Sequence, residues 1–375
     1  MSELNPVSNE QVQAGESKKM SLRTFFKTAV STNASDIHIK ADAVPRVRIG
    51  GDLKTLKTEP LTSEQVEGMV GEFLSPAQID ELNARGQIDI AYALTKSDRF
   101  RVNVFKQRGS YSIAARRINP QVPSYQQLHL PSVLSKIADV EQGLILLAGI
   151  TGSGKSTTIA AMIEQINMSR SVHIVTVEDP IEYAFVDKKA FINQREIGLD
   201  CESYDLAIRA LMREDPDVIL VGEMRDRNTF ASAIQAAETG HLVFSTIHAS
   251  SAPGAITRIL ELFPQEQHMQ IRQALAGNLQ AVVYQKLVPA IDPQVKRVPV
   301  CEVMLQSPSV KKYILEGREN ELTSVIRNEK GTGMIDFNDM LCELTNKEIV
   351  SPKEAYLASP NPDELRMRMK GITTG

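Results

Sequence analysis

Residues 143–156 read Gly143-Leu-Ile-Leu-Leu-Ala-Gly149-Ile-Thr-Gly152-Ser-Gly154-Lys155-Ser156. The first half is a continuous apolar run bounded by glycines, the pattern of a parallel strand buried on both faces. The second half fits G-x-x-x-x-G-K-[ST] in full. Glycines let successive backbone N–H groups wrap phosphate oxygens without Cβ clashes, and the helix that follows presents its positive N-terminus to the same anion. Lys155 is expected to reach the outer phosphates and the Ser156 hydroxyl to ligate Mg²⁺. The expected phosphate-binding set is Gly149, Thr151, Gly152, Ser153, Gly154, Lys155, Ser156 and Thr157. A loop of this composition is more specific here than the bare pattern, because it follows a buried strand and opens a helix.

Downstream, helices alternate with strands. A helix is expected from Ser156, a strand over 171–177 and a helix over 204–213. A strand over 217–222, a helix closed by Gly240 and a strand over 241–247 follow. Such alternation implies an α/β unit with a wound, mostly parallel sheet. Beyond Val303 the pattern turns helical and polar. Upstream, Leu22, Phe25, Phe26, Ala29 and Val30 fall at helical spacing. Alternating stretches at 36–40, 44–49, 88–94, 99–106 and 110–118 read as strands, with Gly50-Gly51 as a turn. Thr62 or Ser63 opens a capped helix. This is a small α+β unit. Pro120, Pro123 and Pro131 mark a linker. The expected divisions are a flexible polar tail at 1–20, a first domain at 21–118, a linker at 119–131, an α/β domain at 132–303 and a helical C-terminal subdomain at 304–375.

Composition narrows the classes. The chain has 375 residues, 42% of them hydrophobic, with a formal net charge of −4. That balance lacks the basic face of a duplex-DNA binder, so nucleic acid is not the expected partner. Cys201, Cys301 and Cys342 form no Cys-x-x-Cys pair, which argues against a disulfide framework and against a zinc ribbon. The polar start lacks signal-peptide character, and no apolar run approaches the length that spans a bilayer. A cytoplasmic location is expected, with any membrane contact made through a partner.

A phosphate-transfer site needs acids at neighbouring strand ends. Asp217-Val-Ile-Leu-Val-Gly-Glu223 is an apolar strand ending in a carboxylate, which places Glu223 to organise Mg²⁺ and water. Thr176-Val-Glu178-Asp179-Pro180 closes another strand, and Glu178 could orient or deprotonate the attacking water. Asp179-Pro180 reads equally well as turn chemistry. His241 and His248 bracket one strand. His248 is the better candidate, because it sits at the carboxyl end, where ligands of wound sheets bind. Arg99, Arg101, Arg116 and Arg117 lie on strands of the first domain, where the plain reading is a solvated sheet face and the sharper one an arginine finger.

Four motifs in order resemble the PilT/PilU twitching-motility ATPases of the type II/IV secretion superfamily: residues 149–158 its Walker A segment, 176–183 its Asp box, 213–226 its Walker B segment and 238–249 its His box. The resemblance runs from about residue 21 to 370. It implies a PAS-like N-terminal domain, a RecA-like P-loop ATPase domain and a homo-hexameric ring. It also implies an inner-membrane pilus platform protein as partner, with a paralogous retraction ATPase as a further one. Glu178, Glu223, His241 and His248 are implied to act on Mg²⁺-ATP. Arginines of the stretch Arg99-Phe-Arg101-Val-Asn103, with Arg116, are implied to complete a neighbour's site.

Pilus-extension relatives carry a four-cysteine metal site that this chain lacks, which favours the retraction branch. The stretch Ser309-Val-Lys-Lys-Tyr-Ile-Leu-Glu-Gly-Arg318 departs from the usual retraction pattern and leans towards the accessory, PilU-like branch. Ile150 stands where proline is usual. The rival readings are a nucleotide-binding adaptor of a partner motor with little hydrolysis, and a RecA-like nucleic-acid translocase. The cysteine pattern gives a first test: elemental analysis of the purified protein is expected to find no stoichiometric zinc, and one tightly bound zinc per chain would reopen the extension branch.

Overall fold

The computed structural model describes residues 21–95, 98–118 and 121–371. The tail expected at 1–20 lies outside them. The chain divides into two compact units, the first ending at Ile118 and the second starting at Asn119.

In the first unit, helix α1 (Leu22–Ser31) precedes strands β1 (Asp36–Lys40), β2 (Arg46–Ile49) and β3 (Asp52–Thr55). Helices α2 (Ser63–Phe73) and α3 (Pro76–Arg85) follow, then β4 (Gln87–Ala93), β5 (Arg99–Gln107) and β6 (Ser110–Ile118). Among the described residues the strands form one antiparallel sheet in the order β3-β2-β1-β6-β5-β4. Gly50 and Gly51 take φ of 61° and 97° at the β2–β3 turn, a region that costs glycine little. Thr62 caps α2 reciprocally with Gln65. Alternate residues of the strands build a core with the helices, in which Phe26 stacks on Phe100 at 4.4 Å. The sequence reading missed β3, whose residues are all exposed and carry no inward alternation, and α3, whose apolar content is low.

The second unit begins with α4 (Val133–Ala138) and β7 (Gly143–Ala148), followed by α5 (Lys155–Ser169). Next come β8 (His173–Glu178), β9 (Phe191–Glu196), α6 (Tyr204–Leu211), β10 (Val218–Val221), α7 (Arg227–Glu238) and β11 (Leu242–Ile247). Helices α8 (Ala252–Leu260) and α9 (His268–Asn278) lead to a hairpin of β12 (Leu279–Pro289) and β13 (Arg297–Leu305). The order is β13-β12-β7-β11-β10-β8-β9, parallel throughout except for β13 against β12.

β7 is fully buried because its side chains alternate between two cores. Leu144, Leu146 and Ala148 pack with α6 to α9, whereas Ile145 and Leu147 pack with α4 and α5. β9 and the β12–β13 hairpin were not foreseen. β9 is an edge strand that opens with Phe191 and Ile192, turns polar and stays exposed or half-buried up to Glu196, and the hairpin follows a run of helices with no βα alternation to announce it.

Beyond β13 come α10 (Pro308–Glu316), α11 (Leu322–Asn328), α12 (Phe337–Asn346), α13 (Pro352–Ala358) and α14 (Pro362–Met369). The division expected at 303/304 falls inside β13. The last three helices bury Phe337, Leu341, Ala355 and Leu365 in the same core as the sheet. Among the described residues, no helix is long and apolar enough to cross a membrane.

Candidate active site

Parallel pairing sets Val221 of β10 opposite Val177 of β8 and Ser245 of β11, and sets Ser245 opposite Leu146 of β7. One to three residues beyond these rungs, the strands release Glu178, Glu223, His248 and the glycine loop at one sheet edge. They line a cavity of about 460 Å³ together with Thr151, Gly152, Lys155, Ser156, Thr157, Tyr183, Tyr204, Arg225 and Thr246. A second cavity of about 550 Å³, reached by residues 127–130 and by the β12–β13 hairpin, shares Gly154, Thr157, Leu287 and Arg297 with the first.

The loop's conformation depends on its glycines. Gly149, Gly152 and Gly154 have φ of 147°, 77° and 87°, values that L side chains rarely adopt. The Lys155 ammonium donates to the carbonyls of Gly149 at 2.8 Å and Ile150 at 3.0 Å, lying across the loop. Burial lowers its pKa, with Glu223 and Glu182 pulling the other way. The Thr157 and Tyr183 hydroxyls are 3.1 Å apart, which ties α5 to the segment after β8.

The environments of the two acids shift their pKa values in opposite directions. Glu178 is 9% exposed, and burial pushes its pKa up to about 7. Thr176 Oγ1 at 2.7 Å and Gln194 Nε2 at 3.2 Å donate to it and moderate the rise. Burial alone would raise Glu223 too. Arg225, which hydrogen-bonds it, together with His248 and Lys155 holds it below the ordinary carboxylate range instead. Arg225 Nη2 lies 2.7 Å from Oε2, and His248 Nε2 lies 3.0 Å from Oε1. Gly222 permits this turn, since a Cβ there would sit 2.9 Å from the Tyr204 hydroxyl oxygen and 3.2 Å from the Val177 carbonyl. Thr246 Oγ1 donates to the Gly222 carbonyl at 2.7 Å and closes the gap between β10 and β11.

His241 does not join them. It precedes β11 at the other edge of the sheet, where its Nδ1 is 2.9 Å from the Ala236 carbonyl and 3.2 Å from Thr239 Oγ1. Its ring closes the last turn of α7. Arg99, Arg101 and Arg116 lie in the first unit, and all the residues lining the cavity belong to the second. Arg101 pairs with Asp89 at 3.5 Å, Arg116 with Asp36 at 2.9 Å and Arg117 with Asp98 at 2.8 Å. Arg99 is exposed at the start of β5.

Sequence reasoning overlooked Arg225, Gln194, Tyr183 and Gln285 as parts of the site. Arg225 carried a usable signal, two residues beyond a strand-end acid. Gln194 and Gln285 carried none, because only strand pairing brings them near. Among the described residues, no group of three or more His, Cys, Asp or Glu side chains converges as a metal cluster would. Cys301 is buried, Cys201 and Cys342 are half-buried, and all three thiols are free.

The chain is similar to proteins of known family. Residues 11–335 match the family model of the type II/IV secretion system protein. The type IV pilus retraction ATPase PilT of Pseudomonas aeruginosa is 36% identical over 344 residues, covering 92% of this chain and 99% of that one. The type IV pilus ATPase PilU of the same organism is 34% identical over 351 residues, covering 94% and 92%. The crystal structure of the pilus retraction motor PilT with bound ADP superposes with a TM-score of 0.84 at 41% identity, covering 92% of this chain and 99% of that one.

The buried acid sets a pH dependence. With its folded pKa near 7 and its ordinary value at 4.5, Glu178 binds more protons in the folded chain than in the unfolded one. Its contribution to stability therefore falls as pH rises from 4.5 to about 7. Glu178→Gln removes that slope. In denaturant titrations, the variant is expected to gain about 2.5 kcal/mol on the wild type between pH 5 and pH 8, at 1.36 kcal/mol per pKa unit. Parallel stability curves would show a carboxyl that titrates normally.

Proposed function

We propose a function for this chain on one premise: it belongs to the type II/IV secretion system protein family. The reading is an ATP-hydrolysing motor subunit that powers type IV pilus retraction, as the names of its relatives describe for them. One observation carries it. A glycine-rich loop with Lys155 and Ser156, the strand-end acids Glu178 and Glu223, and His248 converge in one cavity at the carboxyl edge of a parallel sheet.

In this reading Lys155 and the loop amides hold the outer phosphates, and the base and ribose extend past Thr157 towards the second cavity, beside Leu287 and Arg297. Ser156 and Glu223 offer hard oxygen donors on one wall. That set suits Mg²⁺, which commonly takes one or two protein ligands and completes its shell with phosphates and water. Mg²⁺ bound there supplies charge neutralisation at the phosphates.

Glu178, poised near neutral pH, accepts the proton of the attacking water. Glu223 stays ionised and orients His248, which reports on the terminal phosphate. Retraction is the accessory, PilU-like kind, on the strength of the Ser309–Arg318 stretch. That stretch covers most of α10 and its C-cap Gly317, which has φ of 69°. The subunits form hexamers in the cytoplasm and meet the inner membrane through a pilus platform protein. A paralogous retraction ATPase is a further partner.

Lys155→Ala is expected to abolish ATP turnover without changing the fold. Glu178→Ala and Glu223→Ala are expected to keep nucleotide affinity while kcat falls about 10²–10⁴-fold, as for groups used mainly in the transition state. Near-normal turnover in Lys155→Ala would sink the site. A correctly folded wild type that binds nucleotide but hardly hydrolyses it would favour the adaptor instead.

The arginines of the first unit are assigned to a neighbouring copy's nucleotide, where such a group is worth roughly 10³–10⁵ in rate. Mixing inactive Lys155→Ala chains with inactive chains lacking Arg99, Arg101 or Arg116 is expected to restore turnover once subunits exchange. No recovery, with exchange shown by labelled subunits, would leave those arginines acting within their own chain.

A further inference from the structure

We infer that Gln285 is a positioning residue of the phosphate-binding loop: its buried amide orients the Ser153–Gly154 peptide so that the Gly154 N–H faces the phosphates. This rests on the nucleotide-binding reading above and adds a residue to it that no motif contains. β12 pairs in parallel with β7, with Tyr284 opposite Ala148, so Gln285 stands beside the first residue of the loop. It is 2% exposed.

Both ends of the amide are used. Nε2 donates to the Ser153 carbonyl at 2.7 Å. Oε1 accepts from the Thr158 hydroxyl at 2.8 Å and from the Cys301 thiol at 3.9 Å. The opposite orientation of the amide would set its oxygen against the Ser153 carbonyl with no proton between them, so the donor end is defined by the network.

The consequence follows from peptide geometry. In a trans peptide the carbonyl and the following N–H point in opposite directions. A carbonyl of Ser153 held from the β12 side turns the Gly154 N–H away from β12, towards the concave side of the loop. The Thr158 hydroxyl extends the same tie into the first turn of α5, so the loop and the helix N-terminus are held as one anion-binding unit. The glycines answer to this residue as well as to their dihedrals. A Cβ on Gly154 would lie 2.8 Å from Gln285 Nε2, and one on Gly149 would lie 2.5 Å from the Gln285 carbonyl oxygen.

The test separates phosphate recognition from general damage. Full-length wild type, Gln285→Leu and Thr158→Val are titrated with ADP and with adenosine, and their melting is followed. Gln285→Leu is expected to weaken ADP binding about tenfold or more, the scale of one misplaced buried hydrogen bond. Adenosine, which carries no phosphate, should lose less than about twofold, since nothing in this contact touches the nucleoside.

Equal losses for both ligands, or no loss for ADP, would overturn the assignment. If Gln285→Leu shows no cooperative melt, Thr158→Val decides. It keeps the donor to Ser153 but frees the amide, and it should weaken ADP selectively by about threefold with wild-type melting. An unselective or absent effect there overturns the inference too. A wild type that binds no ADP refutes the nucleotide-binding reading itself, and the inference falls with it.

Discussion

Parallel pairing of β8, β10, β11 and β7 sends the carboxyl end of every strand to one edge of the sheet. Each strand there ends within a residue or two of its neighbours, so the groups it releases meet in space although they lie up to a hundred positions apart in the chain. An antiparallel partner would have delivered its amino end to that edge and its strand-end acid to the other. The site also depends on the double-sided burial of these strands. Cores above and below the sheet leave its central strands no polar outlet except at their ends.

That constraint explains how two carboxylates in one cavity come to differ. Glu178 remains inside the last rung of its strand, where burial outweighs its donors. Glu223 lies past the Gly222 turn, where Arg225 and His248 reach both of its oxygens. A cation beside one acid and a dry strand end around the other push their proton affinities apart, which is the usual way one site holds a proton acceptor and a fixed anion together. The chemistry proposed here needs both.

The first unit uses the opposite logic. Its antiparallel sheet buries one face against helices and leaves the other polar. On that polar face Asp36, Arg116 and Arg101 stand in register across β1, β6 and β5, and Arg101 reaches diagonally to Asp89 of β4, whose own rung partner is Asn103. Burial would raise the Asp36 carboxyl, but hydrogen bonds from Arg116 and Ser35 hold it low.

The sequence alone determined the α/β class, the buried strand β7, the glycine loop with Lys155 and Ser156, and the strand-end acids Glu178 and Glu223. Each of these is a local matter: an apolar run, a glycine spacing, or a carboxylate where a strand stops. It also ranked His248 above His241 from strand direction alone. The tertiary structure decided what depends on pairing. It put His241 at the far edge, against the end of α7, because a six-residue strand separates the two histidines. It brought Gln194 from an edge strand to Glu178, and Gln285 from β12 to the underside of the loop. Those residues sit in stretches with no periodicity or motif to mark them. Their partners are 16 and 132 positions away, and a hydrogen bond across that separation exists only once the sheet has chosen its strand order.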